Sequence, residues 1–130
     1  VFEPALLVRL LEEGTRLAID YGRPLDAEAV KVTLRGERIV AVGKTLPPGL
    51  SPQAESIGMA RIAGGVARRL WEAGRALLGG GARQAYYEAA FQRLIHEGVV
   101  FEGTDVTGLR WVEIDDHADL RRAEAMFVAA

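Results

Sequence analysis

The sequence contains no cysteine, which excludes disulfides, thiolate zinc sites and a cysteine nucleophile. It has no apolar run near the ~20 residues a membrane-crossing helix needs, so no membrane span is expected. It also lacks an excess of positive charge. Sixteen Lys and Arg stand against 18 Asp and Glu, and no basic run marks a phosphate-tracking face, so nucleic acid is not an expected partner. No charged-then-apolar leader opens the chain, and the cytoplasm is the expected location. The two histidines, His96 and His117, stand apart from other ligand-type residues and are not expected to hold zinc. There is no phosphate loop, no GxGxxG and no Ser-His-Asp pattern; Gly79-Gly80-Gly81 falls between two helical stretches and reads as a linker.

What is present is an ordinary globular composition, 49% hydrophobic and 26% charged, in 130 residues that can enclose one core. The chain enters on what reads as the end of a strand or loop at Val1, so residues 1–130 are expected to form a single partial domain. Pro4 suits the first turn of a helix carrying Leu6, Leu7, Leu10 and Leu11, expected over about residues 4–13 with Gly14 as its stop. Thr15 to Tyr21 reads as a strand, with Asp20 at its end in a structural role. Gly22-Arg23-Pro24 turns the chain, and Asp26 to Ala29 is expected to make one helical turn. Val30 to Leu34 and Arg38 to Val42 alternate apolar and polar residues around a Gly-bearing link and predict a β-hairpin. Glu55 to Ile62 predicts a further strand, with Gly58 marking a bulge or a close backbone approach.

Two helices follow. The first starts near Val66, with Val66, Leu70, Ala73 and Leu77 on one face. The second runs from Gln84 to Glu97, with Tyr87, Phe91 and Leu94 facing inward and Gly98 as its stop. Val99 to Phe101 and Asp105 to Thr107 read as short extended segments. Trp111, Val112 and Ile114 predict a last strand, and Asp115 or Asp116 caps a final helix carrying Leu120, Ala123 and Phe127 to about residue 128. The resulting order α-β-ββ-β-α-α-β-β-α indicates an α/β half-domain of three layers with an inserted β-hairpin.

Three constellations could carry chemistry. Glu113, Asp115, Asp116 and Asp119 crowd a strand-to-helix junction, and strand alternation would put Glu113 and Asp115 on one face, where they could share a divalent cation. Solvated acids beside a helix cap explain the same residues. Lys44 follows Gly43 at a strand end, where an amine can act as a point charge on phosphate or simply lie in solvent. Tyr86, Tyr87 and Trp111, with Glu88 and Glu113 beside them, combine π faces with carboxylates as a pocket for an organic cation would. On spacing alone ordinary core packing is the favoured account of the aromatics, and of Tyr87 in particular.

In order, these residues resemble a known family. Trp111 to Glu124 reads Trp-x-Glu-Ile-Asp-x-x-x-Asp-Leu-x-x-Ala-Glu and resembles the closing segment of sugar-nucleotidyltransferase-like proteins. The closest branch is the cytidylyltransferases of small phospho-alcohols, such as phosphocholine, aminoethylphosphonate or inositol phosphate. Lys31-Val32 with Gly36 to Lys44, Glu55 to Met59, Tyr86-Tyr87-Glu88, and Val1 to Pro4 with Leu6-Leu7 resemble further segments of that group in the expected order.

The resemblance implies the C-terminal, acceptor-binding half of a Rossmann-like nucleotidyltransferase domain. The N-terminal half, with its Gly-rich nucleotide loop and first metal aspartate, would lie outside these residues or on a partner chain. It implies transfer of a nucleotidyl group from CTP or another nucleoside triphosphate to a small phosphorylated alcohol or sugar phosphate, with release of pyrophosphate. It implies Mg2+ held by Glu113 and Asp115, Lys44 on the acceptor phosphate, and an acceptor pocket shaped by Tyr87, Glu88 and Trp111. These residues alone are then expected not to turn over. A non-catalytic α/β binding or assembly module on the same fold is the alternative.

Overall fold

The computed structural model describes residues 1–81 and 87–128. In chain order it contains α1 (Pro4–Leu10), β1 (Arg16–Asp20), β2 (Lys31–Arg35), β3 (Arg38–Gly43), β4 (Ala54–Arg61), α2 (Gly64–Gly79), α3 (Tyr87–His96), β5 (Glu102–Asp105) and α4 (His117–Phe127). Pro4 sits at the start of α1 as its fixed φ favours, but the helix ends at Leu11 rather than at Gly14. Gly14, with φ +98°, instead makes the turn into β1.

The five strands form one closed ring in the order β1-β4-β2-β3-β5. All neighbours are antiparallel except β5 and β1, which run parallel from Arg16 beside Glu102 to Ile19 beside Asp105. The class is mixed α/β as expected, but the three-layer sheet with an inserted hairpin is not what the described residues form. The β2–β3 hairpin is a structural part of the ring, because Arg38 of β3 pairs with Glu102 of β5 and the Ile39 amide donates to the Phe101 carbonyl at 2.8 Å.

Gly103 sits at this closure, packed against side-chain ends. A Cβ there would lie 2.6 Å from Ile19 Cδ1 and 2.8 Å from Leu34 Cδ2, closer than packed carbon atoms approach.

β1 is buried on both faces. Leu17 and Ile19 point into the main core with Val32, Ile39, Leu94 and Phe101, which α2 and α3 cover. Ala18 points the other way, into a smaller cluster with Leu6, Leu10, Val106 and Trp111. The predicted bulge in β4 is present. Leu17 and Ile19, two apart, face Ala60 and Ser56, four apart, and Gly58 between them has φ +78°.

Three further local expectations fail. In place of extended segments at residues 99–101 and 105–107 there is one strand between them, β5 at Glu102–Asp105. Residues 26–29 form no helical turn; Asp26 Oδ1 accepts from the amides of Glu28 and Ala29, at 2.9 and 3.0 Å, which closes a side-chain turn instead. The strand expected at Trp111–Ile114 is reduced to a single bridge between Trp111 and Phe2. Val112 exchanges backbone bonds with Val1, and from residue 113 the chain has no strand to pair with. Gly98, at φ +86°, ends α3 as the sequence indicates. The expected start of that helix at Gln84 lies outside the described residues, as does Tyr86.

Candidate active site

A cleft of about 680 Å³ opens where β4, the start of α3, the loop after β3 and the loop leading into α4 meet. Lys44, Tyr87, Glu88, Trp111, Glu113 and Asp115 all line it. These six come from three segments well separated in the chain, and the fold brings them to one cleft, with Trp111 to Asp115 along one wall.

Trp111 is the fixed point of that wall. Its indole is 8% exposed, and its Nε1 donates to Oδ2 of the buried Asp20 at 2.8 Å. Arg23 lies over the ring with its guanidinium carbon 4.2 Å from the centroid. The same guanidinium donates from Nη2 to the Trp111 carbonyl at 3.0 Å and stands 3.6 Å from Asp20 Oδ2. Asp20 Oδ1 accepts from the Gly22 amide at 2.8 Å, so both carboxylate oxygens are occupied. Its structural role follows directly from these contacts. Arg23 itself is a cleft residue that sequence reading missed. The available signal was the Arg-Pro pair, since proline holds the residue before it in extended backbone and projects its side chain from a turn.

Tyr87 is not in the core. Half of it is exposed, and the ring stands edge-on to Phe91 with centroids 5.5 Å apart. It forms the lip of the cleft. Partial burial raises its phenol above the ordinary tyrosine range, and the negative charges of Glu88 and Glu113 add to that shift. Gly58 lies beside it: a Cβ there would make an ordinary contact with the Tyr87 hydroxyl at 3.5 Å, so it is the backbone φ of +78° that calls for glycine. Glu88 is deeply buried, 5% exposed, and its Oε2 has no hydrogen-bond partner among the described residues. Glu55, on β4, was not anticipated; burial raises its carboxyl above the ordinary range, with Arg23 pulling it back.

Lys44 stands at the end of β3 with its Nζ 2.8 Å from Glu28 Oε2. Lys31 ties the same loop down by donating to the carbonyls of Ala29 and Lys44, at 3.2 and 3.0 Å.

Asp116 and Asp119 belong to the helix start. Asp116 caps α4 by accepting from the Ala118 and Asp119 amides at 2.7 and 2.8 Å. Asp119 reaches back to accept from the Asp115 and Asp116 amides and pairs with Arg122. The amide of Asp115, followed by burial acting in the opposite sense and then the amide of Asp116, leaves the Asp119 carboxyl below its ordinary range.

Glu113 and Asp115 are exposed and remain available on the cleft wall. The strand alternation that would have aligned them is absent, yet both reach the same cavity. As hard oxygen donors they suit Mg2+, which is commonly held by one or two carboxylates with substrate phosphates completing its shell. Among the described residues no three His, Cys, Asp or Glu side chains converge as a metal-holding group, so these residues form no closed metal cage.

The fold has a solved counterpart. Superposition covers 97% of this chain, with a TM-score of 0.67 and 21% sequence identity, on the inositol-1-phosphate CTP transferase from T. maritima. This chain shares the fold of a CTP transferase. It spans 51% of that structure, about half its length, and at this identity the likeness is one of fold. The resemblance carried by the motifs is therefore met in three dimensions. No family model and no curated protein matches the chain. Among the described residues, no helix is long and apolar enough to cross a membrane.

Proposed function

We propose that this chain is the acceptor-binding part of a cytoplasmic nucleotidyltransferase. It would act on a small phosphorylated alcohol or sugar phosphate, with CTP as the nucleotide donor and pyrophosphate as the leaving product. The observation that carries the reading is the convergence of Lys44, Tyr87, Glu88, Trp111, Glu113 and Asp115 on one cleft of a fold shared with a CTP transferase. The nucleotide would be held largely by a second half, whether on the same polypeptide or another, because the chain spans about half of that counterpart.

Nucleotidyl transfer asks the protein mainly to position two phosphates and offset their charge. Lys44 would exchange its surface partner Glu28 for the acceptor phosphate, and Arg23, fixed over Trp111, would add a second positive charge nearby. Trp111 and Tyr87 would bound the acceptor on two sides while Glu88 accepts hydrogen bonds from it. Mg2+, when bound by Glu113 and Asp115, would supply charge neutralisation at the phosphates.

The test is pyrophosphate release by this chain combined with its nucleotide-binding half, using Glu113→Ala and Asp115→Ala. Loss of at least about a hundredfold in turnover supports the assignment. Near-parent turnover in both variants removes it. The second reading, a non-catalytic binding module, draws on the lack of a third metal-ligand side chain among the described residues; acceptor binding without any pyrophosphate release in the assembled protein would favour it.

A further inference from the structure

β4 is the longest strand, at eight residues, and only one of its edges is used along its length. β1 pairs with it from Arg61 back to Glu55. On the other side β2 reaches only Ala54 and Glu55, and the Ser56 amide donates to the Val30 carbonyl at 2.7 Å. Past Ser56 no strand among the described residues lies on that side, so residues 57–61 present an open edge. Burial falls away in step: Ala54 and Ser56 are buried, whereas Gly58 and Ala60 are exposed.

An open edge offers unpaired N–H and C=O groups to any extended segment, and proteins commonly blunt it with charge or proline. Ile57, Gly58, Met59 and Ala60 carry neither, and only the bulge at Gly58 breaks their line. Ile57 and Met59 pack against the smaller cluster around Leu6, Leu10 and Trp111 yet stay only partly buried. Unmet backbone groups thus lie beside apolar side chains that a further strand would cover. The cleft indicates which strand. Ile57 and Gly58 line it together with Glu113 and Asp115, so whatever pairs with this edge also borders the cleft. A second copy pairing edge to edge would bring only Ile, Gly, Met and Ala there, none of which serves a metal or a phosphate. This chain matches 51% of its solved counterpart, and the remaining part of such a fold needs a face to sit on.

We propose that the open edge of β4 receives a strand of the nucleotide-binding half, which pairs with residues 57–61 and extends the sheet beyond β4. This rests on the two-half reading above and gives the second half its seat. Main-chain bonds hold the incoming strand, and its apolar side chains on one face cover Ile57 and Met59.

Amide hydrogen exchange, on this chain alone and on the protein assembled with its nucleotide-binding half, tests the docking. Assembly should slow exchange about tenfold or more at those amides of residues 57–61 that face away from β1, and leave the β2–β3 hairpin unchanged. Ala60→Cys puts a single thiol on the edge of a chain that has no cysteine, and a photo-crosslinker attached there should capture a peptide of the nucleotide-binding half. Met59→Lys should weaken assembly about tenfold or more, because docking would bury an unpaired charge. Unchanged exchange on assembly, or capture of a second copy of this chain, overturns the proposal. Exchange and cross-linking decide the matter even if Met59→Lys does not fold.

Pyrophosphate release by the same assembly separates the two readings. Protection and capture without release overturn the nucleotidyltransferase reading and spare the seat on β4. Release with unchanged exchange does the reverse.

Discussion

The indole of Trp111 and the carboxylate of Asp20 are 91 positions apart in the chain and joined at 2.8 Å in a buried contact. This bond fastens the loop before α4 to the end of β1, and Arg23 closes over it from the cleft side. Trp111→Phe keeps an aromatic ring, loses part of the buried indole and leaves Asp20 Oδ2 short of its closest donor. It should cost about 1–3 kcal/mol, as expected when a buried acceptor loses its partner. Urea denaturation measures it, and a loss below about 0.5 kcal/mol would show the bond to be incidental.

The carboxylates near α4 should divide into two groups. Asp116→Ala removes a cap that holds two amides and should destabilise the chain by about 1 kcal/mol. Glu113→Ala and Asp115→Ala remove exposed side chains and should leave stability within about 0.5 kcal/mol. A thermal melt series across the three separates structural from functional acids; equal destabilisation by all three would contradict the division.

Lys44→Ala should weaken binding of a phosphorylated acceptor about tenfold, the loss of one charged hydrogen bond, with little effect on stability. The Glu28 ion pair it breaks is largely solvent-exposed and contributes little to folding. Calorimetry with the phosphorylated ligand against its unphosphorylated alcohol reads the effect. If both ligands weaken alike, Lys44 does not contact phosphate.

The pH response should carry two opposing slopes. Asp119 sits below its ordinary value, so the folded state holds fewer protons, and its contribution is present above the unfolded value of 3.8 and lost on acidification through the folded one. Glu55 sits above its ordinary value of 4.5, so the folded state holds more protons there. Its ionisation costs stability as pH rises from 4.5 through the folded value. Glu55→Gln should therefore gain on the parent at neutral pH relative to acid, and Asp119→Asn should flatten the acid limb. Denaturation midpoints across both ranges check the signs.

The hairpin, the Gly98 stop, the β4 bulge and the α4 cap were legible because each is set by residues within a few positions of one another. Alternation around Gly36, a positive φ at Gly98 and Asp116 before a helical face carry their own physics. The strand at Trp111 was not legible as a failure, since strand formation depends on a partner edge and, among the described residues, Val1 and Phe2 alone supply one. Tyr87 was misread for a similar reason: helical spacing places it next to Phe91, but nothing in that spacing reveals that the surface beyond is a cleft. Arg23 and Glu55 entered the site through contacts between segments that local pattern does not encode. The six candidate residues were found by their order along the chain, and the fold accounts for why that order ends in one place.

The closure at Gly103 also has a kinetic consequence. The β2–β3 hairpin needs only neighbouring residues, whereas the parallel seam between β1 and β5 must bring residue 16 to residue 102. Such distant pairing carries a larger loop-closure cost and tends to come late. Tyr87 and Glu88 lie before that seam in the chain, and Trp111 to Asp115 lie after it. The two banks of the cleft are therefore expected to meet late, as the ring closes. Ligand capture by this chain then doubles as a clock for its last folding event, and Gly103→Ala, by crowding the seam, should slow the appearance of binding as well as lower stability by about 1–3 kcal/mol.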